Sequence, residues 1–272
     1  HADDTPIKVL APGTGKTKVG RIWTYVLDGR AHGDITSPAV CYYYSPDRLG
    51  SRPEGHLASF SGVLQADAYA GYNGVYHSET KPENTIYEAC CWAHVRRKFY
   101  EITVSSDNAL IAHEVIEQIG KVYAVESEVR GASPAVRLAA REDKSKALVE
   151  ELFISFKKVK NKLPQKGSTV KAINYALNNE VALKRFLEDG TIEIDNNIAE
   201  RSLRSVAVGR KNWLFAGSDY GGESAAKIYT IIETCKLNNI DPWSYIRKVL
   251  SVIQDYNSQK ISELLPWNIK IE

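Results

Sequence analysis

The 272-residue sequence has no methionine, four cysteines and no long apolar run. A transmembrane helix needs about eighteen or more apolar residues in succession, so no membrane span is expected. The beginning of the chain also lacks the pattern of a signal peptide. The cysteines follow no spaced framework, which favours a reducing compartment over a disulfide-bonded secreted protein. They are Cys41, Cys90, Cys91 and Cys235.

The sequence also lacks a net charge of either sign. Its 35 basic and 33 acidic residues leave a formal charge of +2, so overall charge argues neither for nor against a nucleic-acid partner. The apolar and charged fractions, 43% and 25%, are those of an ordinary globular protein with one large domain or two small ones. The missing methionine and a strand-like start at His1 predict a fragment whose preceding part is absent.

The order of elements predicts a mixed α/β fold. Strand-like patterns cover residues 1–10, 21–27, 39–44, 62–67 and 86–92, with a short helix predicted at 55–60. Between residues 94 and 190 the apolar spacing becomes helical, as at Val115, Ile119 and Val122, and predicts four or five helices and no strand. Two more helices are predicted near 223–237 and 242–256.

Residues 11–17 imitate the end of a phosphate-binding loop at Gly15-Lys16-Thr17. That loop needs a glycine where Leu10 stands and a helix afterwards. A strand follows instead, so the segment is better interpreted as a hairpin turn.

Residues 192–204 place an acid on a basic helix. Asp195 is suited to cap the helix, Glu200 then lies in its second turn, and Arg201 and Arg204 share one face. Taken alone, the stretch is more typical of a capped surface helix with paired charges.

Two further acids lie on strands. Asp3 and Asp4 point to opposite faces of the first strand, so only one of them can join a given site. Asp67 ends the fourth strand before a turn of small residues, where it could serve a site or cap the next helix. Acids on the first and fourth strands and on a later helix match a ribonuclease-H-like arrangement. We therefore predict a mixed sheet flanked by helices, with an all-α insertion before the glutamate helix.

Converged carboxylates repel one another unless cations neutralise them. Hard oxygen ligands suit Mg²⁺ or Mn²⁺, and two such ions can assist an in-line phosphoryl transfer.

Five segments carry a resemblance to the DDE transposases of the bacterial insertion-sequence family sixty-six. They are HADDTP at 1–6, LQADAYAGY at 64–72, CWAHVRRKF at 91–99, IDNNIAER at 194–201 and GRKNWLFAGS at 209–218, and the likeness extends through LLPW at 264–267. Their order is kept, so the resemblance covers essentially the whole chain. The sequence departs from the family at Asp4, where the family has glutamate.

This resemblance implies a catalytic, metal-binding triad of Asp3, Asp67 and Glu200, with two Mg²⁺ or Mn²⁺ ions. The family cuts DNA at transposon ends with water and then joins the freed 3′-OH to target DNA. The implied partners are double-stranded DNA ends and target, other copies of the chain and helper proteins of the same element, at the nucleoid in the bacterial cytoplasm. The implied divisions are 1–93 and 191–256 for the catalytic domain, 94–190 for the helical insertion and 257–272 for a tail.

Three basic clusters are candidate DNA contacts, although such runs are usually solvated faces. They are Arg96, Arg97 and Lys98; Arg201 and Arg204; and Arg210, Lys211 and Trp213. Arg201 and Arg204 could instead orient Glu200. The last cluster could be a hairpin with Trp213 and Phe215 in the core.

Cys91 and His94 have the spacing of metal ligands, yet two ligands do not close a zinc site. A structural role at the strand-to-helix junction is favoured over zinc.

Three other functions stay open. They are another ribonuclease-H-like nuclease such as a junction resolvase, an inactive remnant that only binds DNA, and a carboxylate-pair glycosidase. The basic helix beside Glu200 suits the last poorly.

Overall fold

A computed structural model describes residues 1–76, 85–105, 109–164 and 166–271. The chain divides into two compact units, which are described separately below. Unit 1 consists of His1–Asp28, Ile35–His56 and Ile198–Glu272, and unit 2 consists of Gly29–Asp34 and Leu57–Asn197.

Five strands are present in the described residues: β1 (Ala2–Ala11), β2 (Lys16–Leu27), β3 (Ala39–Ser45), β4 (Gly62–Ala66) and β5 (Ile86–Cys90). The helices are α1 (Ser51–His56), α2 (Asn73–Tyr76), α3 (Trp92–Ser105), α4 (Leu110–Glu128), α5 (Pro134–Ala140), α6 (Lys146–Lys160), α7 (Ser168–Asn178), α8 (Glu180–Lys184), α9 (Asn197–Ser202), α10 (Arg204–Trp213), α11 (Asp219–Leu237) and α12 (Pro242–Val252). A π-helical turn, Arg141–Ser145, joins α5 to α6.

Unit 1 is built on an antiparallel sheet in the order β1-β2-β3. The turn between β1 and β2 contains Gly13 and Gly15, both with positive φ, which favours glycine. A strand follows this turn, so the hairpin interpretation of residues 11–17 is confirmed and a phosphate loop is excluded.

One face of this sheet is apolar because alternate residues of each strand point to it. Ile7, Ile22 and Val40 pack there with residues of α9, α10 and α11. The outer edge of β3 is covered by α11, since hydroxyls of Thr230 and Thr234 accept hydrogen bonds from backbone amides of β3. This contact leaves fewer unpaired groups on the edge strand.

Unit 2 contains the parallel pair β4-β5 and most of the helices. Its core joins α3 to the apolar faces of α4, α6 and α7 and includes Phe99, Phe153 and Phe156. The phenyl rings of Phe99 and Phe156 stack with centroids 5.7 Å apart. Between residues 92 and 184 the described residues form six α-helices and no strand. The helical character predicted from the spacing is confirmed, but the number of helices is higher than the four or five predicted.

A cluster of ions is also buried in unit 2. The Arg141 guanidinium donates to both carboxylate oxygens of Glu126, at 2.7 Å each, and to the carbonyl of Ile192 at 2.9 Å. Arg137 donates to Glu126 at 3.2 Å and to Glu193 at 2.6 Å. These arginines link α4 and the α5–α6 junction to the segment that precedes α9.

Two predicted elements need correction. The segment 209–218 is not a hairpin: α10 continues to Trp213 because its face carries the buried Val206, and the helix ends where Leu214 adopts a positive φ of 61°. Ala216 then forms a bridge with Val9 of β1, and Phe215 is exposed rather than in the core. The short helix predicted at 55–60 lies earlier, at Ser51–His56.

The mixed α/β class is confirmed. The described strands form two sheets, one of three strands and one of two. The single ribonuclease-H-like sheet and the four-part domain division remain predictions. None of the helices in the described part of the chain is long and apolar enough to cross a membrane.

Candidate active site

Asp3 lies on the helix-covered face of the unit 1 sheet. It is directly opposite Thr24 of β2, and opposite residues of an antiparallel pair point to the same face. The Thr24 hydroxyl is 3.0 Å from the hydroxyl of Ser202 in α9. The side chain of Asp3 therefore projects on the side of the sheet where α9 packs.

Glu200 belongs to that same helix, in its first turn and two residues before Ser202. Two contacts fix α9 on the sheet besides the Thr24 hydroxyl. The Tyr42 hydroxyl donates to the Ser202 carbonyl at 2.7 Å, and Ala199 is fully buried in the unit 1 core. The first and third acids of the predicted triad are thus carried by two elements of one unit that share a face.

Asp4 is engaged on the other side of β1. Its side chain is 1% exposed and forms ion pairs with Arg21 at 3.0 Å and Arg48 at 2.7 Å. Asp3 and Asp4 point to opposite faces, as the alternation of side chains along a strand predicts. Asp4, which stands where the family has glutamate, is a buried ion-pair partner here.

Asp67 belongs to unit 2, directly after the last residue of β4. Ala66 pairs in parallel with Cys90, so Asp67 and Cys91 both follow the carboxyl ends of their strands. Burial raises the pKa of the nearby Tyr175, and the charges of Cys90 and Asp67 add to this effect. Asp67 thus lies in a partly buried environment at the carboxyl edge of the parallel pair, where ligand sites of such sheets form.

Cys91 and His94 lie at the junction of β5 and α3, with a Cys91 sulfur and a His94 ring nitrogen within 4.8 Å. Burial raises the pKa of the Cys91 thiol to about 12, and its sulfur accepts the Asn196 amide at 3.2 Å. This contact supports a structural part for Cys91 at the junction, and both that part and the expected lack of zinc remain predictions.

The segment leading into α9 is held by unit 2. The amide of Trp92 donates to the Ile194 carbonyl at 3.1 Å, and the Gln65 side chain donates to the Glu193 carbonyl at 2.7 Å. Residues 193–196 are therefore fixed next to β4 and the start of α3 before the glutamate helix begins.

Asp195 is the predicted cap, yet it lies two residues before the first residue of α9, so the helix begins one residue later than predicted. The helix starts at Asn197, whose amide donates to the Asp195 carboxylate at 3.0 Å. The Tyr123 hydroxyl donates to the same carboxylate at 2.9 Å. Burial raises the pKa of Asp195, although both hydrogen bonds oppose this change. The shifted start moves Glu200 into the first turn instead of the second.

The predicted basic helix is two helices. Leu203 separates α9 from α10, so Arg201 and Arg204 lie on different segments, and both are exposed. Arg210 donates to the Thr5 hydroxyl at 2.9 Å and to the Pro6 carbonyl at 2.7 Å, which ties α10 to β1.

Beyond Arg210, the last basic cluster splits between solvent and core. Lys211 is exposed, whereas Trp213 is partly buried against the unit 1 core. Arg210 and Trp213 thus have structural contacts, and a DNA role for the cluster remains a prediction.

In the cluster on α3, Arg96 and Arg97 are exposed. The Lys98 ammonium lies over the ring of Tyr175, 4.3 Å from its centroid. Sequence reasoning missed Tyr100 and Tyr123 beside these arginines. Tyr123 carries a helical apolar spacing that signals core packing alone, so nothing local indicates its hydrogen bond to Asp195.

Comparison with known families defines the class of protein. The model of the IS66 family of transposases matches residues 1–224, and that of the IS66 C-terminal element matches residues 230–267. The chain belongs to the IS66 transposase family, and the resemblance seen in the sequence is confirmed.

Three curated relatives match nearly the whole chain. The uncharacterized proteins y4qI and y4hP of Sinorhizobium fredii are each 40% identical over 99% of this chain, which covers 50% of either relative. The uncharacterized protein y4jD of the same organism is 36% identical over the full chain, which covers 53% of it. The chain thus spans about half the length of these relatives. No solved structure matches the chain.

Proposed function

We propose that this chain is the catalytic part of a DDE transposase that cuts DNA at transposon ends and transfers the freed strand to target DNA. The observation that carries the proposal is the shared face of β1 and α9, which brings Asp3 and Glu200 to one side of the unit 1 sheet. Membership of the IS66 transposase family supports the same function.

Asp67 is the proposed third member. Its position at the carboxyl end of β4 supports this role, because side chains at that edge of a parallel pair are available for a site. The proposed function needs Asp67 of unit 2 to act together with Asp3 and Glu200 of unit 1. The proposal therefore includes a single ribonuclease-H-like sheet formed by the strands of both units.

The donor set fits a hard divalent cation, since all three candidates supply carboxylate oxygens. Asp3 and Glu200 would hold Mg²⁺ or Mn²⁺ from unit 1 and Asp67 from unit 2. A pair of bound ions supplies activation of water or a 3′-OH and stabilises charge on the leaving oxygen. The ion pairs of Asp4 keep a second carboxylate of β1 out of this set.

The exposed cations are the proposed contacts with DNA phosphates. These cations are exposed on three helices. They are Arg201 on α9, Arg204 and Lys211 on α10, and Arg96 and Arg97 on α3. Arg210 and Trp213 would instead hold α10 in place, because Arg210 donates to Thr5 of β1 and Trp213 packs against the unit 1 core. Assembly of several copies on DNA, helper proteins and a nucleoid location in the bacterial cytoplasm belong to the same proposal.

The direct test uses the full-length protein that contains this chain, with duplexes of transposon-end DNA. With Mg²⁺, the protein is expected to nick these duplexes, while Glu200→Gln should lose about a hundred- to a thousandfold in cleavage rate. The amide keeps the size of the side chain and removes its charge, so DNA binding should persist. DNA binding is measured by electrophoretic mobility shift and DNA cleavage on sequencing gels, so a loss of one is distinguished from a loss of the other.

Matched variants sharpen the result. Asp3→Asn and Asp67→Asn should lose as much cleavage rate as Glu200→Gln. Asp219→Asn changes a carboxylate of unit 1 that is about half exposed, and this variant should cleave normally. Cleavage of branched junctions without end specificity would indicate a resolvase, and DNA binding without cleavage by the unaltered chain would indicate an inactive remnant. Equal cleavage by Glu200→Gln would refute the assignment.

A further inference from the structure

A groove of about 540 Å³ opens between α3 and α4 within unit 2. Arg96, Arg97 and Tyr100 line it from α3, and Gly120 and Tyr123 line it from α4. A volume of this size lies in the range of small-ligand sites, which is about 300–1,000 Å³. The groove therefore has room for a compact ligand group rather than for water alone.

The charge that the groove presents is positive. Arg96 and Arg97 are both exposed on its α3 wall. The Asp195 carboxylate lies at the Tyr123 end and accepts hydrogen bonds from Tyr123 and from both nitrogens of Asn197. Cations on one wall and an occupied carboxylate at the other end favour an anionic ligand.

An aromatic ring lies next to these cations. Tyr100 is four residues after Arg96, so the two share a face of α3, and Tyr100 is 54% exposed. Tyr123 is held by its hydrogen bond to Asp195, which fixes the opposite wall. Gly120 adds no side chain to that wall, and a Cβ built there meets nothing within 4 Å. The groove is thus open at Gly120, and the exposed ring of Tyr100 lines its α3 side.

We propose that this groove binds an unpaired stretch of DNA, with phosphates on Arg96 and Arg97 and a base stacked on Tyr100. Guanidinium groups bind phosphate, and an exposed aromatic ring stacks on any base. In a duplex the faces of the bases are covered by their neighbours, so the ring adds affinity only for unpaired nucleotides. The inference rests on the proposed function, since it names the form of DNA that the protein holds.

The first experiment measures binding by fluorescence anisotropy, in EDTA, of a labelled oligothymidylate and of a duplex of equal length. Tyr100→Ala should weaken single-strand binding about five- to a hundredfold, the range expected for one lost stacking contact, and change duplex binding little. Tyr100→Phe should bind like the unaltered chain. Tyr87→Ala is the matched control, because Tyr87 is 52% exposed in the same unit but lies outside the groove.

A second variant fills the groove without removing a contact. Gly120→Leu should fold at least as well, because leucine favours a helix more than glycine does and the position is open. It should nevertheless reduce single-strand affinity at least as strongly as Tyr100→Ala. Gly55→Leu is its control, since Gly55 also lies in a helix and has no atom within 4 Å of an added Cβ.

The arginines are tested by salt dependence. Removing two phosphate contacts should lower the slope of log affinity against log salt by about 1.4 in the double variant Arg96→Ala with Arg97→Ala. A 5-iododeoxyuridine oligonucleotide should form its photo-crosslink at Tyr100.

Three results would overturn the inference: equal losses for single strand and duplex in Tyr100→Ala, unchanged single-strand binding in Gly120→Leu, or a crosslink that maps outside the groove. None of these measurements needs cleavage. Failure of the groove is therefore distinguishable from failure of the triad, which appears as retained cleavage by Glu200→Gln.

Discussion

The two units bury charge in different ways. In unit 1 the nearly buried Asp4 carboxylate is paired with Arg21 and Arg48, whose side chains remain 22% and 35% exposed. In unit 2 both sides of the ion cluster are buried, since Arg141 is 0% exposed and Glu126 is 6% exposed. Water can reach the partners of Asp4 but not those of Arg141.

This difference sets the cost of losing a partner. A charge that retains a route to water is resolvated when its partner is removed, whereas a fully buried charge stays uncompensated. Arg141 also satisfies the carbonyls of Phe186, Asp189 and Ile192, so its loss leaves backbone acceptors unpaired as well. The stability of unit 2 should therefore depend on single residues more strongly than that of unit 1.

The largest effect is expected for Arg141→Met, which keeps the length of the side chain but leaves Glu126 dependent on Arg137 alone. We expect a loss of about 3–5 kcal/mol in the free energy of unfolding. Urea unfolding gives the total, and hydrogen exchange of peptides from α4 and α6 should localise the loss to unit 2.

Lys144→Ala is the control for that variant. Lys144 pairs with Glu128 at 2.6 Å, but both side chains are about half exposed. An exposed pair of this kind contributes little to stability, because water and salt screen the two charges. Equal losses in the two variants would show that burial does not separate them.

A smaller effect is expected for Asp4→Asn in unit 1. The charge-assisted bonds to two arginines are lost, yet both guanidinium groups can turn to water, so the cost should be about 1.5–3 kcal/mol. Hydrogen exchange should rise in β1 and β2 and stay unchanged in α4. Asp47→Asn, which removes an exposed pair with Arg52, should change little. A loss above that of Arg141→Met would reverse the proposed contrast.

The smallest effect concerns the pH dependence of unit 2. Burial raises the pKa of Asp195 above that of an unfolded aspartate, so the folded state binds its proton more tightly. The contribution of this group to stability is therefore present at low pH and is lost as pH rises from about 4 towards the raised pKa. Relative to the unaltered chain, Asp195→Asn should gain stability over that rise, measured by urea unfolding at stepped pH. A stability difference between Asp195→Asn and the unaltered chain that does not change with pH would contradict a raised pKa for Asp195.

The same contrast shows what sequence reasoning reaches. The second half of β2 is rich in β-branched and aromatic residues such as Ile22 and Val26, so the strand follows from local composition. Nothing local separates Arg137 and Arg141 from solvated arginines, because their burial depends on Glu126 and Glu193 elsewhere in the chain.

The candidate site divides in the same way. The facing of Asp3 away from Asp4 follows from strand alternation, and the resemblance names Asp67 and Glu200. The break at Leu203 and the start of α9 after Asp195 depend on tertiary contacts of Ser202 and Asn196. Those contacts lie far apart in sequence and have no local pattern.

The most direct test of the central claim replaces Mg²⁺ with Fe²⁺ and generates hydroxyl radicals at the bound ion. If Asp3, Asp67 and Glu200 hold one cation set, the backbone should be cut near all three positions. Excess Mg²⁺ should suppress every cut, and Glu200→Gln should weaken them together. Cuts confined to the neighbourhood of one of these residues, or cuts that Mg²⁺ does not suppress, would contradict a shared metal site.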